Sequence, residues 1–296
     1  MSEAAWQPRV TIIVPAFNEA ARIAANVAAL RAQNYPAEKL QIVVVDNGST
    51  DRTFEILAGT PEILALREAR PGSYAARNRA LGHADGEVVC FTDADCSADA
   101  DWVRNAVAAL AAPGVGVVAG HVELDFGPRP RLSASELFEK CFSFKQAENA
   151  RNRVCVTANW TSRLALIRSF GGFDATLKSG GDHRLAAQIA AAGHRIVYAP
   201  DAIVRHPARA DFRELTRKRR RVIGGVFGTQ CRAGRKSFTR FVGSLFKETL
   251  VRLHSVFTGA VLPHSDRVRV GGLLVVLCGV SVAEALRLRL GGEPHR

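Results

Sequence analysis

The sequence lacks any spacing of cysteines that suits a metal site. Its six cysteines are scattered over 296 residues, and several lie inside apolar stretches, where a thiol behaves as a small hydrophobic side chain. Close Cys–Cys or Cys–His pairs of the kind that bind zinc are missing. We therefore predict core cysteines in a reducing, cytosolic compartment and no zinc site.

Glycine-rich phosphate-binding motifs are also missing. The first predicted strand, residues 10–14, continues into Pro-Ala-Phe-Asn-Glu at 15–19, which matches neither the dinucleotide fingerprint nor a Walker loop. This excludes a standard dehydrogenase or P-loop nucleotidase. Residues 1–9 have no basic start followed by an apolar run, so we predict no signal peptide.

Apolar strands that alternate with helices are the main pattern present. With 47% apolar residues, the chain can build a full core. Nearly continuous apolar runs at 10–14, 41–45 and 88–92 predict strands buried on both faces. Helices are predicted over about 20–33 and 52–57. The alternation favours an α/β fold with a parallel sheet covered on two sides.

Polar side chains follow each of these strands. In parallel sheets, ligands bind outside the carboxyl ends of the strands. The Asp-Ala-Asp turn at 93–95 suits a divalent cation held by carboxylates and a substrate phosphate, although the tripeptide on its own is more typical of a polar turn that caps the next helix. We favour ligand binding because the polar residues exceed what three helix caps need. They are Asn18, Glu19, Asp46, Asn47, Asp93 and Asp95.

The segment 70–80 forms the basic start of a predicted helix. Its backbone N–H groups and Arg77 could meet a phosphate or hydroxyl groups. An ordinary loop with solvated arginines explains the segment equally well. The residues alone leave both interpretations open.

The order of the motifs resembles that of the family 2 glycosyltransferases, inverting enzymes with the GT-A fold. The matching segments are 10–19, 43–51, 76–78, 91–95, 158–160, 171–174 and 180–182. The resemblance covers roughly residues 10–206. It implies a Rossmann-like, mainly parallel sheet flanked by helices, a nucleotide-diphosphate sugar as donor, with a UDP-sugar favoured, and Mn²⁺ or Mg²⁺ as cofactor.

The resemblance also assigns site residues. Those expected to bind the nucleotide sugar are Pro15, Ala16, Asn18, Glu19, Asp46, Asn47, Ser49, Arg77, Asp93, Ala94 and Asp95. Asp93 and Asp95 are also expected to bind the metal, together with His206, which is otherwise an ordinary loop histidine. Many relatives have a second aspartate where this chain has Asn47, which leaves the nucleoside base open.

Asp182 is the candidate catalytic base. Locally it follows a glycine-rich loop and begins a helix, as an N-cap aspartate would. The resemblance instead implies that its carboxylate takes the proton of the acceptor hydroxyl as the new bond to the sugar forms. Many relatives have glutamate directly before this aspartate, where this chain has Gly181.

Residues in the second half are candidates for acceptor binding. Asn159 and Trp160 are expected to bind the acceptor, with Trp160 stacked on a sugar, unless the indole is buried in the core. They are predicted to precede a helix that begins near Arg163. An aromatic stripe in a helix predicted over 133–146 either belongs to the core or walls an acceptor groove.

Basic residues dominate the chain after residue 206. Between residues 205 and 240 there are twelve Lys or Arg and two acidic residues, while the whole chain carries a net charge of +12. The cluster at 217–221 could lie near the donor diphosphate or on an anionic bilayer. No recognised nucleic-acid module precedes it, so we predict no nucleic-acid partner. The apolar run 270–283 is shorter than the roughly 20 residues of a membrane span, and we expect it to lie in the membrane interface or to pack on protein.

These patterns combine into one expectation. A GT-A catalytic domain is predicted over 1–206, with a nucleotide-binding half at 1–97 and an acceptor-binding half at 98–206, followed by a helical region at 207–296. The expected function is a metal-dependent hexosyltransferase at the inner face of the cell membrane, acting on a glycan or lipid-linked acceptor. The alternatives are a nucleotidyltransferase or nucleotide-sugar hydrolase, or a non-catalytic protein that binds anionic lipid.

Overall fold

The computed structural model describes residues 6–295, and within them it contains eight strands and eleven α-helices. The strands are β1 (Val10–Ala16), β2 (Leu40–Asp46), β3 (Leu64–Arg67), β4 (Val88–Thr92), β5 (Ser97–Ala98), β6 (Val115–Asp125), β7 (Asn159–Arg163) and β8 (Arg195–Pro207). The helices are α1 (Ile23–Arg31), α2 (Thr53–Ala58), α3 (Ser73–Leu81), α4 (Trp102–Leu110), α5 (Ala134–Phe142), α6 (Gln146–Arg151), α7 (Leu164–Ser169), α8 (Gly181–Ala191), α9 (Phe212–Phe227), α10 (Phe238–Thr258) and α11 (His264–Arg289). The strands and helices predicted in the first hundred residues lie within a few residues of the observed bounds.

The strands form one mixed sheet in the order β3-β2-β1-β4-β7-β6-β8-β5. β1 is parallel to β2 and β4, and β2 is parallel to β3, whereas β7 is antiparallel to β4 and β6. Parallel strands end at the same edge of a sheet, so the turns that follow β1, β2 and β4 meet there. The predicted α/β sheet is confirmed. The helix predicted to begin near Arg163 is α7, which begins at Leu164, and the residues before it form strand β7, which was not predicted.

Residue contacts divide the chain into two compact units. Unit 1 comprises the chain to Asp125, Phe144–Thr176 and Gly181–Pro207, and it holds the whole sheet. Unit 2 comprises Phe126–Ser143, Leu177–Gly180 and the chain from Ala208. Residues 126–143, which we placed in the acceptor-binding half, are therefore part of the second unit.

An aromatic cluster anchors the end of β4 in unit 1. Phe91 meets Phe173 edge to face at a centroid distance of 5.2 Å, and Trp160 meets the same two rings at 6.0 and 6.5 Å. Such large buried rings contribute strongly to core stability. Because Phe91 lies two residues before Asp93, the cluster also fixes the strand end that carries the acidic pair.

Unit 2 is a helical bundle with its own apolar core. Leu137 and Phe138 of α5 pack there with side chains of α9, α10 and α11, and Phe142 packs against them, so these residues of the predicted aromatic stripe belong to the core. Phe144 instead packs on the His206 ring in unit 1, at a centroid distance of 4.5 Å. The single helix predicted over 133–146 is divided into α5 and α6. The chain turns between them at Phe144, which has a φ of 50° and cannot continue a right-handed helix.

α11 is 26 residues long and includes the predicted apolar run 270–283. It is long and apolar enough to cross a membrane, but 50% of its most apolar stretch is buried. Val270, Leu273, Leu274 and Leu277 lie in the core of unit 2. One face of the apolar run therefore packs on protein.

Candidate functional site

The acidic pair follows β4 at the edge where the parallel strands end. The guanidinium of Arg77, on α3, donates to Oδ1 of Asp93 at 2.5 Å. Only 3% of the Arg77 side chain is exposed, against 33% for Asp93. A buried guanidinium needs a charged partner. The charge of Arg77 is therefore balanced by the Asp93 carboxylate, whereas the sequence alone also allowed a solvated arginine. Its Nε has no hydrogen-bond partner among the residues described.

Asp95, Cys96 and His206 bring together atoms that could bind a metal. Nε2 of His206 lies 3.3 Å from Oδ2 of Asp95, and the ligand atoms of the three residues lie within 4.8 Å of one another. Nδ1 of His206 is 2.7 Å from the carbonyl oxygen of Pro207. Because a carbonyl can only accept, Nδ1 carries a proton, which leaves Nε2, beside the Asp95 carboxylate, as the ring nitrogen that could bind a metal. A cation between these two acceptors would stabilise them, so the donor set fits a divalent metal.

Asp93 and Cys96 differ from expectation at this cluster. Among the residues described, Asp93 is not part of the cluster, and its Oδ1 is bonded to Arg77 instead. Cys96 was predicted only as a core thiol, yet its sulfur lies beside Asp95. Burial, together with the charges of Asp93 and Asp95, raises the pKa of the Cys96 thiol well above its ordinary value. The sequence feature that could have identified Cys96 as part of this cluster is its position directly after Asp95.

The turns after β1 and β2 are tied to each other. The backbone N–H of Asn18 donates to Oγ of Ser49 at 2.9 Å, and Oδ1 of Asn18 accepts from the backbone N–H of Thr50 at 2.8 Å. Asn18 has a φ of 56°, which asparagine tolerates better than most residues. Asp46 is buried at the end of β2, 3.3 Å from the backbone N–H of Ser49. The structure thus brings these predicted nucleotide-binding residues together.

Glu19 connects this region to the acidic pair. Its backbone N–H donates to Oγ1 of Thr53 at 2.8 Å, and its carboxylate lies 3.1 Å from Arg22. Partial burial, followed by the charge of Asp95, raises the pKa of Glu19. The turn after β1 is therefore electrostatically coupled to the turn after β4.

Asn47 has a structural task that an aspartate could not perform. Its buried amide nitrogen donates to the carbonyl oxygens of Glu68 and Arg70 at 3.0 and 2.8 Å, and its Oδ1 accepts from the N–H of Gly72 at 2.7 Å. A carboxylate has no N–H to donate. Asn47 therefore holds the loop that leads into α3.

Three other predicted nucleotide-binding positions are largely covered by protein. Ala16 and Ala94 are buried and Pro15 is half-buried. The carbonyl oxygen of Ala16 accepts from the N–H of Asn47 at 2.8 Å. These residues shape the backbone of the turns rather than offering reactive side chains.

Asp182 lies inside the first turn of α8, which begins at Gly181, and not at the cap position that its local pattern favoured. Its Oδ1 accepts from the Tyr74 hydroxyl at 3.0 Å and from the N–H of His183 at 3.0 Å. Its Oδ2 lies 3.3 Å from the N–H of Thr157. The carboxylate is thus oriented by three donors.

One helix, α3, holds the two acidic parts of the site. Tyr74 bonds to Asp182, and Arg77, about one turn later, bonds to Asp93. Asn78 fastens the helix to the opposite loop, because its amide nitrogen donates to the carbonyl of Phe173 at 2.6 Å and its oxygen accepts from the same residue's N–H at 2.9 Å. Asp93 and Asp182, far apart in sequence, therefore contact side chains three residues apart, on the same face of one short helix.

The expected acceptor contacts of Asn159 and Trp160 are not supported. Trp160 has no exposed surface and donates to Oγ of Ser162 at 2.7 Å, so a sugar cannot reach the ring. The buried Asn159 accepts from the Trp102 indole at 2.8 Å and donates to carbonyl oxygens of β6 and β8. Both residues have structural roles in the sheet, as the alternative interpretation of the indole allowed.

The basic cluster 217–221 is partly occupied by ion pairs within unit 2. Lys218 contacts the buried Glu139 at 2.9 Å, and Arg219 contacts Glu248 at 3.0 Å. Arg217 and Arg220 remain exposed on α9. The cluster therefore offers fewer surface cations than its sequence indicates.

Comparison with known proteins identifies the family to which the chain belongs. A family model described as glycosyl transferase family 2 matches residues 11–169. Glycosyltransferase AglE of Haloferax volcanii is 35% identical over 225 residues, which cover 74% of this chain and 73% of that protein. The pre-mycofactocin glycosyltransferase of Mycobacterium tuberculosis is 28% identical over 69% of this chain, which spans only 44% of that relative.

A solved structure supports the fold over nearly the whole chain. Mannosyltransferase PcManGT from Pyrobaculum calidifontis, in complex with GDP-Man and Mn²⁺, aligns at a TM-score of 0.64 and 26% identity, covering 95% of this chain and 87% of that chain. The sheet and its flanking helices are those of the GT-A fold. Since the family model matches more than half of the sequence, the chain belongs to glycosyl transferase family 2.

Proposed function

We propose that the protein is a metal-dependent, inverting hexosyltransferase that moves a sugar from a nucleotide-diphosphate sugar to a hydroxyl of a glycan or lipid-linked acceptor. The observation that carries this proposal is the arrangement around α3, where Tyr74 bonds to Asp182 and Arg77 bonds to Asp93. Direct displacement at a sugar carbon needs a base and a site for the leaving diphosphate held at a fixed separation. Because Tyr74 and Arg77 belong to the same helix, α3 holds Asp182 and Asp93 at a fixed separation.

The donor we propose is a UDP-sugar, with a GDP-sugar as the alternative. The resemblance of the motifs favours UDP, whereas the solved relative at 26% identity is in complex with GDP-Man. The coupled turns that carry Asn18, Asp46 and Ser49 are the proposed nucleoside site. Thermal unfolding with UDP or GDP, each with Mn²⁺, discriminates the two, since a ligand that binds only the folded state raises Tm.

Asp95 and His206 are the proposed metal ligands, and the sulfur of Cys96 lies close to both. The imidazole nitrogen favours Mn²⁺ over Mg²⁺, because Mg²⁺ strongly prefers oxygen ligands. The same solved relative contains Mn²⁺. When bound, the metal supplies positive charge to the diphosphate as it leaves.

Asp182 is proposed to act on the acceptor. Its carboxylate takes the proton of the attacking hydroxyl while the acceptor oxygen bonds to the anomeric carbon. The bond from that carbon to the diphosphate breaks on the opposite face, so the configuration inverts. Arg77 keeps Asp93 in place beside the leaving group.

The test compares Asp182→Asn with Asp201→Asn, which alters an exposed carboxylate on β8. We expect the first variant to lose at least about a hundredfold in transfer rate while it still binds nucleotide with Mn²⁺ in calorimetry, and the second to keep wild-type activity. Full transfer by the first variant would refute the role of Asp182.

Product analysis tests the reaction class. A glycosylated acceptor together with free nucleoside diphosphate supports transfer. Free sugar with nucleoside diphosphate indicates a hydrolase, and release of sugar 1-phosphate, with the nucleotidyl group transferred to the acceptor, indicates a nucleotidyltransferase. Either of these as the only reaction would refute the proposal.

Peripheral contact with an anionic membrane, at the cytoplasmic face, is the proposed location of the enzyme. The support comes from the exposed face of α10. Phe246, Leu250 and Phe257 are exposed apolar residues at spacings that place them on one side of a helix. An adjacent line at seven-residue spacing consists of the exposed Arg240, Lys247 and His254. An apolar stripe beside a basic line is typical of helices that lie in the interface of anionic bilayers.

Vesicle sedimentation tests this contact. We expect binding to vesicles that contain phosphatidylglycerol, weaker binding to pure phosphatidylcholine, and a clear loss for Leu250→Glu. Leu290→Glu, which alters an exposed leucine outside the stripe, is the matched control. If Leu250→Glu changes the oligomeric state but not vesicle binding, the stripe is instead an interface between copies of the chain.

A further inference from the structure

We propose that Tyr74 is a positioning residue for the reaction: its hydroxyl fixes the Asp182 carboxylate so that Oδ2 is the oxygen that takes the acceptor's proton. This inference rests on the proposed role of Asp182 as the base. Tyr74 lies far from Asp182 in sequence and has no acid–base task of its own.

The direction of the hydrogen bond is determined by a second partner. The Tyr74 hydroxyl oxygen accepts from the N–H of Gly181 at 3.0 Å and lies 3.0 Å from Oδ1 of Asp182. A hydroxyl has one proton to donate, and an ionised carboxylate can only accept. The proton of Tyr74 therefore points to Asp182. Burial and the charge of Asp182 raise the pKa of Tyr74, so the donor keeps this proton at any working pH.

The donors around Asp182 are distributed unequally. Oδ1 accepts from Tyr74 and from the N–H of His183, both at 3.0 Å. Within residues 6–295, the one hydrogen-bond contact of Oδ2 is the longer one, 3.3 Å to the N–H of Thr157. A carboxylate oxygen has two lone-pair sites, so Oδ1 is saturated and Oδ2 retains a site for a proton.

The ring of Tyr74 is held rigidly. It is 6% exposed and stacks on Phe173 at a centroid distance of 5.7 Å. A Cβ on residue 181 would lie 2.8 Å from Cε2 of this ring, which is closer than van der Waals contact permits. Glycine before Asp182 is therefore the residue that admits the tyrosine, and Gly181 and Tyr74 form a matched pair.

The main test is Tyr74→Phe, which removes one oxygen and preserves the stacked ring. We expect kcat to fall at least about tenfold, as loss of a hydrogen bond to a charged group does, with the KM and the calorimetric Kd of the nucleotide sugar within about twofold of wild type. The matched control is Tyr35→Phe, because Tyr35 is also buried and donates to the carbonyl of Pro8 at 2.6 Å. It should lose similar stability and keep wild-type kcat.

A second variant, at Gly181, tests the same contact between Tyr74 and Asp182 without changing the tyrosine. Gly181→Ala displaces the ring, so it should lower kcat by a similar factor, and the double variant should be no slower than either single one, since both act through Asp182. Losses that multiply would overturn the inference, as would an unchanged kcat in Tyr74→Phe.

The variant Asp182→Asn distinguishes a failure of the proposed base from a failure of the positioning role of Tyr74. If it retains transfer, the proposed base is wrong and the positioning role is refuted with it. If it is inactive while Tyr74→Phe keeps its full kcat, only the positioning role fails. If Tyr74→Phe loses kcat and nucleotide-sugar binding together, Tyr74 is structural and the inference is overturned.

Discussion

A buried carboxylate in unit 2 allows one prediction to be worked out in detail. Glu139, on α5, has no exposed side-chain surface, and its Oε1 lies 3.0 Å from Arg209 and 2.9 Å from Lys218. The backbone N–H of Arg209 donates to Oε2 at 2.8 Å. Burial by itself raises the pKa of a carboxyl group, but Lys218 and Arg209 lower the pKa of Glu139 to about 2. This triad links α5 to the start of the basic segment.

Glu139→Gln keeps the shape of the side chain and removes its charge. We expect unfolding to become easier by about 3–5 kcal/mol, the cost of removing one partner from a buried ion pair. With a urea m-value of about 3 kcal/mol per molar, the midpoint falls by about 1–1.7 M. Glu55→Gln, at an exposed pair with Arg52, is the control and should leave the midpoint unchanged. A shift in Glu139→Gln no larger than in the control would refute the reasoning.

The lowered pKa of Glu139 predicts that the free energy of unfolding depends on pH. The folded pKa of Glu139, about 2, lies below the ordinary value of 4.5, so the unfolded chain binds the proton more tightly. The stabilisation is therefore complete above a pH of about 4.5 and is lost as the pH falls towards about 2. Urea midpoints measured across this range should fall less steeply in Glu139→Gln than in the wild type. Equal slopes would contradict the lowered pKa.

Three further predictions follow from single contacts. His206→Ala should weaken Mn²⁺ binding by about 10–100-fold in calorimetry with nucleoside diphosphate present, and unchanged affinity would exclude it as a ligand. Asn78→Ala should lower the free energy of unfolding by about 2 kcal/mol, because two hydrogen bonds to Phe173 are lost; an unchanged urea midpoint would contradict this. Trp160→Phe should destabilise by about 1–3 kcal/mol and leave the acceptor KM unchanged, whereas a raised KM with normal stability would restore its acceptor role.

The sequence was sufficient for the parallel strands β1, β2 and β4 and for the position of the acidic turns. A strand buried on both faces must be apolar at nearly every position, so runs such as 41–45 and 88–92 could be recognised locally. The carboxyl ends of parallel strands meet at one edge, which predicted that Asn18, Asp46 and Asp93 would lie at the same edge.

The roles of individual polar side chains could not be predicted in the same way. Asn47 stays a predicted nucleoside-binding residue, and the structure adds that its amide holds the loop before α3. Trp160 was expected to bind a sugar, but it is fully buried. In both cases the residue type allowed either task, and the burial and partners were decided by residues far away in the chain.

The sequence by itself therefore determined the α/β class, the family and the order of the motifs, because these depend on local periodicity and on residues that are close in the chain. Only the tertiary structure decided that Arg77 holds Asp93, that Tyr74 holds Asp182 and that Cys96 lies beside His206. The physical reason is that a hydrogen bond or metal site depends on distances of about 3 Å, and these are set only when segments far apart in sequence pack together.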